Sequence, residues 1–320
     1  MKYSALVIGL GKIGLGFDLG RDSSHILTHT KAYLRHKDFN LVAGIDINIS
    51  RRNEFKDYTG KPAYGDVGQF KECNNTKIDV VSLCTPENVR YSEFIKIVSL
   101  KPKLVIIEKP LALTQEEAVK IKSTADKSNI KIFVNYTRRV DPSFENLRDI
   151  LHENVLGKVG LVKINYNGGL YKNASHFIDL VMHYFRAPEK IRCLSIKKRN
   201  AGDFDASFIL SYKNFEAFFN CVPQAAYFIA EMDIFLSKGR ISVFDGGIDI
   251  KAFKAVRDPV FKSCFALKEI PLGVAHQPYR CQLNVLDHVV KALKNNRPLA
   301  STAKSGLDTL KVCKRIEHGF

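Results

Sequence analysis

The segment Tyr3-Ser-Ala-Leu-Val-Ile-Gly-Leu-Gly-Lys-Ile-Gly14 constrains the fold more than any other stretch of the chain. An apolar run leads straight into Gly9-x-Gly11-x-x-Gly14, with Lys12 and Ile13 inside the turn. Each glycine has a mechanical task. Gly9 permits a tight turn, Gly11 lets the backbone approach a pyrophosphate, and Gly14 lets a helix pack closely on the strand. The helix N-terminus then offers unpaired amides and its positive dipole end to phosphate oxygens. A glycine turn can also be plain structure, so its context decides. Asp46 closes the second apolar run, Ala43-Gly-Ile-Asp46, where a carboxylate accepts hydrogen bonds from a ribose and repels a 2′-phosphate. It lies 32 residues past Gly14, where about 20 is usual, which points to an insertion around residues 17–24. NAD is therefore the expected cofactor. NADP stays open, because Arg51 and Arg52 could receive a phosphate.

Further short strands are expected at residues 5–9, 41–47, 79–85, 104–108 and 131–135. Each is a near-continuous apolar, β-branched run, as burial on both faces requires. Thr114-Gln-Glu-Glu117 is a capping box between two of them. Strands alternating with helices imply a parallel sheet with right-handed crossovers. After Asn135 the pattern changes. Asp141-Pro142 opens a helix that Gly157 closes, a strand follows at 161–166, and a helix at 176–185. Strands at 191–196, 206–212, 217–222, 232–236, 241–244 and 248–253 then come without helices between them, with Lys238-Gly239 as a hairpin turn. Helical periodicity returns at 282–294 and 305–317. The expected architecture is an α/β Rossmann domain with a doubly wound parallel sheet over residues 1–125. An α+β domain with a large, mostly antiparallel open sheet follows over 126–320, and its last helix is free to pack back on the first domain.

Of the 320 residues, 45% are hydrophobic and 26% charged, which excludes a disordered chain. Apolar runs such as Leu104-Val-Ile-Ile107 fall far short of the roughly 20 residues that a membrane span needs, and no signal-peptide cleavage site follows the first strand. The seven cysteines are scattered, odd in number and never spaced C-x-x-C. That predicts reduced thiols in a cytoplasmic protein, with no disulfide framework and no metal site. A net charge of +16 draws anions. The basic residues are nevertheless spread along the chain, and no nucleic-acid motif accompanies them. The expected partner is a small molecule, with neither nucleic acid nor membrane.

Five further segments, in order, carry a resemblance: Asp79-Val-Val-Ser-Leu-Cys-Thr-Pro86, Glu108-Lys109-Pro110, Val134-Asn-Tyr-Thr-Arg-Arg-Val-Asp-Pro142, Ser175-His-Phe-Ile-Asp-Leu180 and Ser305-Gly-Leu-Asp-Thr-Leu310. From end to end the chain resembles the Gfo/Idh/MocA family of NAD(P)-dependent sugar and polyol dehydrogenases. The resemblance implies that the nicotinamide lies near Thr85, Pro86 and Lys109, with Glu108 and Lys109 among the cofactor-binding residues. It makes Lys109 and His176 the catalytic pair, and sets Tyr136, Lys172, Asn173 and Asp179 with them on the substrate side. By its own position, Lys109 sits just past a parallel strand's carboxyl end, where open α/β sheets bind ligands. A lysine there can hold a hydroxyl and stabilise the oxyanion formed as hydride leaves. The family's pattern has an aspartate four residues before the histidine. Here Lys172 stands there, followed by Asn173.

His176, Asp179 and His183 share one helix face. Three such ligands diverge from a common point, so they are read as site residue, orienter or packing partner, and packing, without a metal. The expected function is hydride transfer between a nicotinamide cofactor and a ring carbon of a sugar, sugar nucleotide or cyclitol. The alternatives are a non-catalytic NAD-binding regulator and a reductase of another carbonyl or imine. A large sheet with one uncovered face needs burial, so a homodimer or homotetramer through residues 191–253 is expected.

Overall fold

The computed structural model describes residues 2–20, 24–199, 202–223, 226–273 and 279–319. The chain divides into two compact units, Met1–Val140 with Tyr279–Asp308, and Asp141–Pro278 with Thr309–Phe320.

The first unit is built on six parallel strands: β1 (Tyr3–Ile8), β2 (Phe39–Ile45), β3 (Ala63–Tyr64), β4 (Val80–Leu83), β5 (Leu104–Ile107) and β6 (Lys131–Val134). Their order is β3-β2-β1-β4-β5-β6, so the chain reverses its direction of travel across the sheet between β1 and β4. That reversal opens a crevice at the carboxyl ends of these two strands. Ala5, Leu6, Val7, Val80, Val81, Leu83 and all of β5 have no exposed surface, which is why these strands read as near-continuous apolar runs. The connecting helices are α1 (His29–Arg35), α2 (Ile49–Thr59), α3 (Val67–Cys73), α4 (Glu87–Val98) and α5 (Gln115–Lys127). Thr114 caps α5, its Oγ1 accepting the Glu117 N–H at 3.1 Å. The two-residue β3 is too short to leave a periodic signal.

The second unit opens with α6 (Pro142–His152), capped by Asp141, whose Oδ1 accepts the Ser143 N–H at 2.9 Å. The helix stops at His152, before the glycine expected to end it. Gly157, at φ +82°, instead turns the chain into the sheet and donates its N–H to the Asn154 carbonyl. Eight strands follow: β7 (Val159–Tyr166), β8 (Lys190–Lys198), β9 (Phe204–Ser211), β10 (Glu216–Cys221), β11 (Ala230–Leu236), β12 (Gly239–Phe244), β13 (Asp249–Arg257) and β14 (Phe265–Ile270). They lie in the order β14-β13-β12-β11-β7-β10-β9-β8. β7 and β10 run parallel, and every other neighbouring pair is antiparallel. The helix α7 (Ser175–Phe185) is preceded by one π-helical turn, Leu170–Ala174. Val162, Ile164, Phe219, Met232 and Ile234 of the sheet share a core with Leu147 of α6 and Phe177, Ile178 and Val181 of α7. The alternate positions are mixed in character. Arg240 donates to Asp233 Oδ1 at 2.6 Å and lies 5.0 Å from the centre of the Phe235 ring.

Two helices close the chain, α8 (Cys281–Lys294) and α9 (Ala303–Glu317). Leu283, Val285, Leu286 and Val289 of α8 join the parallel sheet's core, and the unit boundary falls inside α9. Residues 126–140 and 279–308 therefore belong to the first unit, although the sequence reading allotted them to the second domain. β6 is one of the parallel sheet's two edge strands, and α8 packs into that sheet's core. No helix among the described residues is long and apolar enough to cross a membrane.

Candidate active site

The glycine turn lies at the carboxyl end of β1. A Cβ on Gly9, at φ +91°, would sit 2.7 Å from the Cys84 carbonyl carbon and 2.8 Å from the Thr85 nitrogen, so only glycine lets β1 exit against β4. A side chain on Gly14 would collide with the Gly9 carbonyl oxygen, the close helix–strand packing that this position demands. In front of Gly11 the space is open, the nearest atom to a Cβ being Arg51 Nη1 at 3.8 Å.

The helix expected after Gly14 makes one turn and breaks. Leu15 N–H donates to the Gly11 carbonyl at 2.9 Å, but the Ile13 and Gly14 carbonyls accept from His29 N–H (3.2 Å) and Thr30 N–H (3.1 Å). In an unbroken helix their donors would lie four residues on. Here they lie sixteen on, so twelve residues are looped out. Removing those twelve from the 32 between Gly14 and Asp46 leaves the twenty of the dinucleotide fingerprint. The insertion thus extends to residue 28, beyond the expected 17–24, of which 21–23 lie outside the described residues. Asp18 clasps its base from a fully buried position. Its Oδ2 accepts from Thr28 Oγ1 (2.7 Å), Thr28 N–H (2.9 Å) and Leu27 N–H (3.2 Å), and Lys31 Nζ is 3.6 Å from its Oδ1.

Asp46 is buried at the end of β2. Its Oδ2 accepts the Leu10 N–H and its Oδ1 the Asn48 N–H, both at 2.8 Å, so it braces the glycine turn. Each oxygen retains a further lone pair. Arg51 Nη1 lies 3.6 Å from Oδ2. Arg52 Nη1 instead donates to the Asp46 and Ile47 carbonyls at 2.8 and 2.9 Å. Of the two arginines, Arg51 is the one beside the carboxylate, while Lys12 is exposed.

Across the crevice, Thr85 follows β4 and Pro86 leads into α4. Arg90, buried on α4 and not singled out from the sequence, donates through Nη2 to the Thr85 carbonyl at 2.7 Å and through Nη1 to the Pro110 carbonyl. Burial pulls its guanidinium below the ordinary range, against the charges of Glu108 and Glu87. Glu108 directly follows β5, with its side chain 12% exposed. Its Oε1 accepts from His29 Nε2 at 2.9 Å and from Asn135 Nδ2 at 2.5 Å. Burial pushes this carboxyl up, but His29, Asn135 and Arg90 together outweigh it and hold it below the usual range. Burial and the Glu108 charge raise the Cys84 thiol well above its ordinary value, so it is no nucleophile. Lys109 is half-buried and joined to Pro110 by a cis peptide bond.

These residues suit a dinucleotide. Thr85 Oγ1 and Asn135 Oδ1 are buried polar atoms without a protein partner, both at the carboxyl ends of strands, the backbone before Gly11 is open, and Asp46 has acceptor capacity left. Such orphans call for a ligand or water. A cavity of about 580 Å³ lined by Lys122, Lys131, Arg297 and Lys304 lies at the amino end of β6, the other end of the sheet, and belongs to no part of this set.

Of the remaining candidates, Tyr136 is in the first unit and 2% exposed. Lys172, Asn173, His176 and Asp179 are in the second. Asp203, which carries no local sequence signal, accepts the Tyr171 and Lys172 N–H groups at 3.0 and 3.1 Å and so pins the π-helical turn. Asn173 Nδ2 donates to the Asn167 carbonyl at 2.6 Å. His176 is half-buried in the first turn of α7. Asp179 is buried and accepts from Thr309 Oγ1 at 3.0 Å, a packing contact with α9. The Tyr171 hydroxyl donates to Glu317 Oε2 at 2.5 Å, and burial with that carboxylate raises it far above the phenol range. Among the described residues, no three His, Cys, Asp or Glu side chains gather as a metal site would require.

Residues 4–136 match the model of the GFO_IDH_MocA family, an oxidoreductase family with an NAD-binding Rossmann fold. The chain is 26% identical over 151 residues to a scyllo-inositol 2-dehydrogenase (NADP(+)) of Bacillus subtilis, covering 41% of this chain and 42% of that protein. It is 26% identical over 193 residues to a myo-inositol 2-dehydrogenase of Thermotoga maritima, covering 56% and 52%. The matches thus span about half the length of these curated relatives. An oxidoreductase from Agrobacterium radiobacter, solved in complex with NAD+, L-tartaric acid and magnesium, shares the fold at a TM-score of 0.76 and 15% identity, over 100% of this chain and 96% of that one. The strand order, the twenty-residue spacing recovered once the loop is set aside, and the matched segment converge: residues 4–136 are similar to the NAD-binding Rossmann fold of the Gfo/Idh/MocA oxidoreductase family.

Proposed function

We propose that the chain is a dehydrogenase that moves a hydride between NAD, or NADP, and a ring carbon of a sugar, sugar nucleotide or cyclitol. The observation that carries this reading is the fixed turn of Lys109, held between two anchored neighbours beside the orphaned Thr85 hydroxyl. The family and the two inositol dehydrogenases among its relatives support it.

The bound cofactor supplies or accepts the hydride. The turn of Gly9, Gly11, Lys12, Ile13 and Gly14 holds its phosphates, Asp46 takes a ribose hydroxyl, and Thr85 and Pro86 border its reacting ring. Lys109 holds the substrate oxygen and stabilises negative charge on it. His176 takes the hydroxyl proton in oxidation and returns it in reduction. Tyr136, Lys172, Asn173 and Asp179 complete the substrate side. Excess positive charge favours a phosphorylated or carboxylated substrate. The protein works in the cytoplasm as a homodimer or homotetramer.

Turnover of a panel of sugars, cyclitols and sugar nucleotides, followed by nicotinamide absorbance beside a direct cofactor titration, tests this. Lys172 in the aspartate position favours one competing reading, a non-catalytic NAD-binding regulator. Tight cofactor binding with no turnover across the panel would establish that reading instead.

A further inference from the structure

The polar cluster at the carboxyl end of β5 assigns a task to His29 that neither the glycine motif nor the lysine turn accounts for. We infer that His29 is a positioning residue for Lys109, acting through Glu108; the inference rests on the reading of Lys109 as the lysine that holds the substrate oxygen.

Lys109 stands between two anchored residues. On one side, the Glu108 N–H donates to the Leu83 carbonyl at 3.1 Å, and its Oε1 is held by His29 and Asn135. On the other, the Pro110 carbonyl is held by Arg90, which also grips the Thr85 carbonyl. The groups facing Glu108 are therefore His29 from α1, Asn135 after β6, Arg90 from α4 and the Cys84 thiol. Asn135 is itself tied to Gln282 of α8 at 3.3 Å.

A buried carboxylate persists only while it is paired. Without His29, Glu108 keeps one amide donor on Oε1 and either protonates or turns away, and the turn carrying Lys109 loosens with it. His29 has little freedom of its own. Its N–H is bound to the Ile13 carbonyl, and the preceding Thr28 is clasped by Asp18. Glycine turn, insertion and lysine turn are thus one hydrogen-bonded assembly, with His29 as the link.

The test follows Lys109 directly. Full-length protein with ¹³C-methylated lysines is titrated by NMR, and the Lys109 signal is identified by its loss in Lys109→Arg. In His29→Ala the Lys109 signal moves and its titration shifts, and kcat falls about 10- to 100-fold, the usual cost of misplacing a catalytic group by about an ångström. NADH affinity stays within a few-fold. His29→Gln, which keeps an N–H donor, recovers part of both effects. His29→Leu fills the space without a donor and stands in where the alanine variant fails to fold. A Lys109 signal and titration unchanged from wild type in a folded alanine or leucine variant would overturn the inference. Failure of the dehydrogenase reading shows separately, as wild type that turns over no substrate, and the Lys109 signal still reports on His29 in that case.

Discussion

The Thr30 N–H donates to the Gly14 carbonyl at 3.1 Å across sixteen residues of sequence. That bond joins two halves of what is otherwise one helix, and the loop between them closes on the buried carboxylate of Asp18. Asp18→Ala removes three hydrogen bonds and one partner of buried Lys31. Breaking a buried pair from one side costs about 3–5 kcal/mol, so the variant's urea midpoint should fall accordingly. An unchanged midpoint would show that the clasp carries no stability.

Cofactor choice should follow the two side chains before Gly11. Asp46 offers a carboxylate to a ribose and repels a 2′-phosphate, so NADH should bind more tightly than NADPH in a fluorescence titration. Asp46→Ala should narrow or reverse the gap, and Arg51→Ala should weaken NADPH more than NADH. Wild type preferring NADPH would make Arg51 the determinant.

Chemistry should depend on Lys109 and His176 separately. General acid–base groups contribute about 100- to 10,000-fold, so Lys109→Ala and His176→Ala should each lose turnover on that scale with NADH affinity nearly intact. His183→Ala should act on thermal stability, with a smaller effect on turnover. Lys172→Asp should alter the pH profile by setting a carboxylate four residues before His176. Full activity in His176→Ala would send the proton elsewhere. Tyr136 and Tyr171 are the next hydroxyls to test, and the Tyr171 hydroxyl, bound to Glu317, is the poorer replacement of the two.

Acid stability should report on Glu108. Its folded carboxyl lies below the ordinary range, whereas an unfolded glutamate titrates near about 4.3. The stabilisation is therefore complete above that value and is lost as the pH falls through the lower folded one. Melting curves should show Glu108→Gln less stable than wild type at pH 7, with the gap closing toward low pH. A gap constant with pH would mean that the carboxylate's charge contributes nothing.

The second unit's sheet should be the assembly surface. Phe235 is half-exposed there beside the Arg240–Asp233 pair, so light scattering at micromolar concentration should give a dimer or tetramer, and Phe235→Asp should shift it toward monomer. A sharp monomer mass for the wild type would end this expectation.

Much of this molecule is written locally. The glycine spacing, the near-continuous apolar runs of β1, β4 and β5, the Thr114 cap and the Asp141-Pro142 helix start each depend on neighbours a few residues away, so they are legible without a structure. Where the pattern was thin, as in two-residue β3 or in β14 with its exposed Phe265 and Leu267, no strand was foreseen. Gly157 shows the limit in another way, since a glycine's freedom serves a turn into the sheet as readily as a helix end. The rest belongs to tertiary structure. His29 meets Glu108 across 79 positions, and Asn135 meets Gln282 across 147. Arg90 and Asp203 likewise find backbone partners that no periodicity announces. Such contacts are fixed by which strand ends the fold brings together, because a buried polar group must find its partner in space and not along the chain.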